Sequence, residues 1–187
     1  MKSRVFIVIN FPEEIKNKLL EYPQKWPELP ARWLKKDNLH ITLVFLGYIR
    51  DEELIEVSRA IKETASQNSP FLINLTKICY APPSKPARLI WVEGEKSKEL
   101  HALKKSLEKL LLEKISFSAE RREYNPHVTL GRIKLWEFRK IEPEERPEIE
   151  EYLSLKFEVN SIEIMESRLK RGGMEYTILE SIPLLKE

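Results

Sequence analysis

Apolar and polar positions alternate along this chain in short blocks that read as strands, separated by stretches with helical spacing. Residues 4–10 (Arg-Val-Phe-Ile-Val-Ile-Asn) concentrate β-branched and aromatic side chains and predict a first strand. Pro12, at the first helical position, opens "PEEIKNKLLEY", where Ile15, Leu19 and Tyr22 recur on one face. Asp51 caps "DEELIEVSRAIKETA", whose stripe is Leu54, Val57 and Ile61, with Glu52 and Glu53 suited to the helix start. Strands follow over 71–79 and 87–93, around the proline-rich link "YAPPSKPA". A long helix in "KSKELHALKKSLEKLLLEK" turns Leu100, Leu103, Leu107, Leu110 and Leu111 inward. The chain closes on a hairpin, "FEVNSIEIMES" and "MEYTILESI", joined through "RLKRGG" with Gly172 and Gly173 in the turn.

Two further strands share one pattern, "NLHITLVFLG" (38–47) and "NPHVTLGRI" (125–133). In an extended strand His40 and Thr42 share a face, with Leu39, Ile41, Leu43 and Phe45 on the other. The same parity pairs His127 with Thr129 against Val128 and Leu130. Only three histidines and five threonines occur in the chain, so a His-x-Thr-Leu unit that recurs is unlike a chance strand pattern. The whole is read as α+β: one domain over 1–187, with two similar lobes and a cleft between them.

Two such units facing one cleft bring together two imidazoles and two hydroxyls. One imidazole gives a proton while the other takes one near neutral pH. Hydroxyls donate to non-bridging phosphate oxygens and stabilise the charge of a pentavalent transition state. In-line displacement at phosphorus is the chemistry this kit fits, and a strained cyclic phosphate reduces the demand for a metal. His101 lacks the threonine and is expected at a helix surface or boundary. No histidine or cysteine pair has metal-ligand spacing, so no metal and no cofactor is expected. Arg132 is the nearest fixed cation that can grip a phosphate, yet strict alternation sets it opposite His127. Either Gly131 permits a bulge that re-aims it, or it is a surface arginine. Arg121, Arg122, Arg168, Lys170 and Arg171 are read first as solvated, with RNA contact as the alternative. Tyr124 and Phe45 are read as core, with stacking on a base as the alternative.

Composition adds bounds. The single Cys79 forms no internal disulfide, is expected to be a small buried apolar group, and points to a reducing cytoplasm. No 18-residue apolar run predicts a membrane helix, and the acidic residues after the first strand argue against a signal peptide. A net charge of +2 is far below that of a dedicated duplex binder. Abundant Lys and Glu with few Gly and Gln fit a heat-adapted protein. No exposed apolar stripe stands out, so a monomer is expected.

The segments "LHITLVFLG" and "PHVTLGR" resemble the paired His-x-Thr-x motifs of the 2H phosphoesterase superfamily. Within it the chain is similar to the prokaryotic RNA 2′,3′-cyclic phosphodiesterases, also called 2′-5′ RNA ligases. The opening "RVFIVINFP" and the closing "ESRLKRGGMEYTIL" extend the likeness over nearly the whole chain. The resemblance implies a bilobal, pseudo-two-fold body of antiparallel sheet with outer helices. It implies metal-independent opening of RNA 2′,3′-cyclic phosphate ends, tRNA halves among them, to 2′-phosphates. His127 would be the proton acceptor activating water, and His40 the donor to the departing 3′-oxygen. Thr42 and Thr129 would hold phosphate oxygens, and Arg132 would approach the phosphate. Ligation is the same chemistry with a 5′-hydroxyl replacing water, and is expected to be weak. A phosphodiesterase for a small cyclic nucleotide or ADP-ribose cyclic phosphate is the alternative on the same fold. A non-catalytic RNA-binding subunit is the alternative of another class.

Overall fold

The molecule is built on antiparallel strands whose apolar residues alternate between two faces. The structure, a computed structural model, describes residues 2–83, 86–120, 122–171 and 173–185. In chain order its elements are β1 (Lys2–Asn10), α1 (Glu13–Glu21), β2 (Ala31–Trp33), β3 (His40–Arg50), α2 (Asp51–Ser66), β4 (Phe71–Ala81), β5 (Leu89–Gly94), α3 (Lys98–Lys114), β6 (His127–Ile133), α4 (Leu135–Phe138), β7 (Glu150–Val159), β8 (Ser161–Lys170) and β9 (Gly173–Pro183). Among the described residues no helix is long and apolar enough to cross a membrane.

Helix starts are set locally, with small departures from expectation. Pro12 sits just before α1, and its carbonyl accepts from the N–H groups of Ile15 and Lys16. Asp51 is the first residue of α2 and not its cap. Arg50 takes the cap position, and its backbone N–H donates to Glu53 at 2.8 Å. Glutamate three residues into a helix can reach back in this way, which frees the cap from needing a short polar side chain. Ser97 caps α3 by accepting from the Leu100 N–H at 3.0 Å.

All the strands join one sheet in the order β7-β4-β5-β6-β3-β1-β8-β9, with β2 added along β6. Every pairing is antiparallel. The fold is therefore α+β, and its two halves are halves of a continuous sheet. They meet at β3 and β6 through a single registered pair, Ile41 and Val128. The strand over 71–79 extends to Ala81. "FEVN", expected to open the hairpin, instead ends β7, and the chain turns at Asn160 into β8. Along β7, Leu153, Leu155, Phe157 and Val159 turn inward while Tyr152, Ser154, Lys156 and Glu158 stay exposed, which suits a strand at the sheet's edge. Gly173 (φ +114°) begins β9 in a backbone conformation that favours glycine. Gly172, assigned to the same turn, lies outside the described residues.

One face of the sheet is dry. Val57, Ala60 and Ile61 of α2 and Leu100, Leu103, Leu107 and Leu111 of α3 belong to the same buried cluster as Ile41, Leu43, Val128 and Leu130. Each such valine, leucine or isoleucine contributes roughly 2 kcal/mol by leaving water. On the opposite face of β1, Phe6 and Val8 join Met165 in a small second cluster, with Tyr176 packed against it. The cleft opens on this second side.

Candidate active site

Pairing of Ile41 with Val128 fixes the site's symmetry. In an antiparallel pair the next positions outward are His40 with Thr129, and Thr42 with His127. Both aliphatic residues point into the dry core, so all four polar side chains take the other face. All four line a cavity of about 300 Å³, together with Arg4 and Arg132. Each imidazole thus lies diagonally across from its counterpart, with a hydroxyl opposite.

A bulge follows each threonine. Between β1 and β3 the partners step from Val8–Thr42 to Ile7–Val44, leaving Leu43 extra. Between β5 and β6 they step from Trp91–Thr129 to Ile90–Gly131, leaving Leu130 extra. Each extra residue reverses the alternation beyond it. Arg132 is thereby re-aimed to the face of His127 and lines the cavity. The bulge centres on Leu130; Gly131 serves close packing instead. A Cβ on Gly131 would meet the Trp33 ring at 2.8 Å. Phe45, five residues after His40 as Arg132 is after His127, undergoes the same reversal. It is 62% exposed and lines the cavity, so its expected place beside Leu39 and Ile41 in the core is corrected.

Each imidazole has its own surroundings. His127 Nδ1 lies 2.8 Å from the Asn125 carbonyl. Because a carbonyl only accepts, Nδ1 carries the hydrogen and Nε2 is left with a lone pair. The Trp91 ring stacks on His127 with centroids 3.7 Å apart. Burial lowers the His127 pKa, while the Asn125 carbonyl and then Glu120 and Glu93 pull it back up. His40 sits between Phe6 and Tyr176, with centroid separations of 5.2 and 5.4 Å. Burial pushes its pKa down to about 4. The Asn38 carbonyl opposes this without completing a hydrogen bond, and Lys16 and His127 add to it. His40 Nδ1 is buried and unpartnered.

Other candidates fall elsewhere. The Tyr124 hydroxyl donates to the Thr42 carbonyl at 3.0 Å, tying the approach to β6 onto the β3 motif. Its ring packs in the core as expected, and burial pushes its phenol pKa up. His101 is exposed on α3. Cys79 is half-buried, not fully buried as expected, and burial pushes its thiol up to about 11. At the hairpin tip, Arg168 pairs with Glu166 at 2.9 Å and Lys170 pairs with Glu175. Arg122 lines a second cavity of about 180 Å³ that shares Thr42, Phe45 and His127 with the first. Arg121 lies outside the described residues. No three His, Cys, Asp or Glu side chains converge as metal ligands among the described residues.

Asn38 and Asn125 each stand two residues before a histidine, and the backbone of each acts on that imidazole, the Asn125 carbonyl at Nδ1 of His127. That shared offset is the signal the motif itself does not carry. Trp91, Phe6 and Tyr176, which wall the imidazoles, carried no such signal because they come from other strands.

A family model described as the 2'-5' RNA ligase superfamily matches residues 12–171. A protein of Methanocaldococcus jannaschii named RNA 2',3'-cyclic phosphodiesterase is 31% identical over 180 residues, covering 95% of this chain and 98% of that protein. One of the same name from Aquifex aeolicus is 29% identical, with 84% of each chain covered. Among solved structures, TT0787 of Thermus thermophilus superposes with a TM-score of 0.85 at 26% identity over 98% of this chain and 99% of that one. E. coli LigT complexed with 3'-AMP gives 0.80 at 24% identity, with both chains fully covered.

Proposed function

The chain belongs to the 2'-5' RNA ligase superfamily, and on that premise we propose that it opens RNA 2′,3′-cyclic phosphate ends to 2′-phosphomonoesters by two-histidine catalysis. The observation that carries the reading is the diagonal set of two imidazoles and two hydroxyls around one cavity. With Nδ1–H turned to the Asn125 carbonyl, His127 offers Nε2 as the base. It takes a proton from water as the new P–O bond forms. The bond from phosphorus to the 3′-oxygen breaks, and His40 gives its proton to that oxygen. The product is a 2′-phosphate beside a free 3′-hydroxyl, and solvent returns the proton from His127 to His40 before the next turnover. Thr42 and Thr129 donate to the non-bridging oxygens, and Arg132 faces their charge.

His40's low pKa shapes its part. Unpaired, it is neutral at pH 7; an anionic cyclic phosphate alongside favours its charged form. A proton so weakly held is readily passed to a leaving alkoxide. The substrate ends (tRNA halves among them), the monomeric state and the cytoplasmic setting belong to the same proposal. The test is to incubate EDTA-treated protein with an oligoribonucleotide ending in a 2′,3′-cyclic phosphate and resolve 2′- from 3′-phosphate. We expect the 2′-phosphate, lost in both His40→Ala and His127→Ala. Full activity in either variant would overturn the mechanism. Turnover of a small cyclic nucleotide but not of RNA would move the substrate to that class.

A further inference from the structure

We propose that the arm of the cleft nearest His40 binds the backbone phosphate immediately upstream of the RNA's cyclic end, through Arg32 and Lys35. The inference rests on the function proposed above. Short strand β2 pairs with β6, and its register sets Arg32 directly across from Arg132. Cross-strand partners share a face with their Cβ atoms roughly 5 Å apart. Two guanidinium groups so placed can both donate to one phosphate.

The space beside this pair fits that use. A cavity of about 120 Å³ adjoins the catalytic one, sharing Asn38, Arg132 and Tyr176 with it. Arg32 and Lys35 line it and no carboxylate does. On the far side of His127 the cavity of about 180 Å³ has the opposite character, with Glu108, Glu120 and Glu123 against Lys104 and Arg122. The cleft is thus polarised, and a polyanion held at the histidines has one favourable direction to leave by. Arg32 is exposed and its Nη2 lies 2.1 Å from where a Cβ on Gly173 would stand, so the glycine leaves the guanidinium room beside the hairpin of β8 and β9.

A mononucleotide has no upstream phosphodiester, so the arm selects for length. The test measures kcat/KM on a 2′,3′-cyclic mononucleotide and on a trinucleotide with the same end, for wild type, Arg32→Gln and Lys35→Gln. The wild type should prefer the trinucleotide. Each variant should lose about tenfold on it, mainly through KM, narrowing the preference. The log–log salt dependence on the trinucleotide should become shallower by about 0.7 for each contact removed. Lys35 is exposed, so its variant keeps the result interpretable should Arg32→Gln disturb the packing at Gly173. A wild type that turns over both substrates equally well, or variants that weaken both alike, would overturn the proposal while leaving the cyclic phosphodiesterase reading intact. No turnover of either substrate by the wild type would remove that reading first, and this one with it.

Discussion

Replacing His40 by glutamine should flatten the acid limb of this protein's stability curve. Burial holds the His40 pKa at about 4, against an ordinary value of 6.5. Above pH 6.5 the imidazole is neutral in folded and unfolded chains alike, and stability is complete. As pH falls below 6.5 the unfolded chain binds a proton that the folded site refuses. Stability is then lost progressively until pH reaches about 4, where the folded form protonates too. A tenfold change in proton affinity is worth about 1.4 kcal/mol, so the full loss is about 3 kcal/mol. That is a large part of the roughly 5–15 kcal/mol that holds a domain folded. Urea denaturation at pH 7.5 and 4.5 reads it, in buffers free of phosphate so that no anion fills the cleft. His40→Gln should lose about 2–3 kcal/mol less than the wild type between the two pH values, the many carboxylates cancelling in the comparison. Parallel losses in both proteins would refute the view that His40 is buried neutral in the folded chain.

Other changes test the rest of the site. Thr42→Val and Thr129→Val should each lower kcat about 10²-fold while KM changes little, as expected when a donor to the transition state is removed; unchanged kcat would remove these hydroxyls from the chemistry. Gly131→Ala places a Cβ 2.8 Å from the Trp33 ring and should cost about 1–3 kcal/mol in chemical denaturation. Tyr124→Phe deletes the 3.0 Å hydrogen bond to the Thr42 carbonyl and should cost about 1 kcal/mol, with a fall in kcat if that bond positions the motif.

How far the site was legible depended on range along the chain. His40, Thr42, His127 and Thr129 could be paired because their spacing follows a period of two within one strand. Arg132 and Phe45 could not be placed by that rule. An extra residue at Leu130 and Leu43 reverses the alternation, and bulges are set by the neighbouring strand. Leucine stripes on α3 and the helix periods of α1 and α2 were visible for the same local reason. Edge strand β7 was legible only in part: Leu153, Leu155, Phe157 and Val159 recur with a period of two, but the first two are only partly buried and Glu150, Glu151 and Tyr152 ahead of them are polar or exposed. Trp91 against His127 and Tyr176 against His40 arise from strand order, which local pattern does not encode. The halves of the sheet were expected as two similar lobes; the seam joining them through Ile41 and Val128 emerges only from pairing.

Strand order also dictates a timetable for synthesis on the ribosome. Apart from the short β2, which lies along β6, β4 to β7 form one half from a continuous stretch of chain, but the other half is split, with β1 and β3 emerging early and β8 and β9 last. Nascent β1, with its apolar run Val5–Ile9, can pair with β3 yet must wait for residues 163–167 before its second edge is covered. Until then it presents open backbone groups to any neighbouring chain. Tyr176, one wall of His40, arrives later still. A stalled or truncated product therefore carries both motifs but an unfinished sheet, and is sticky before it is competent.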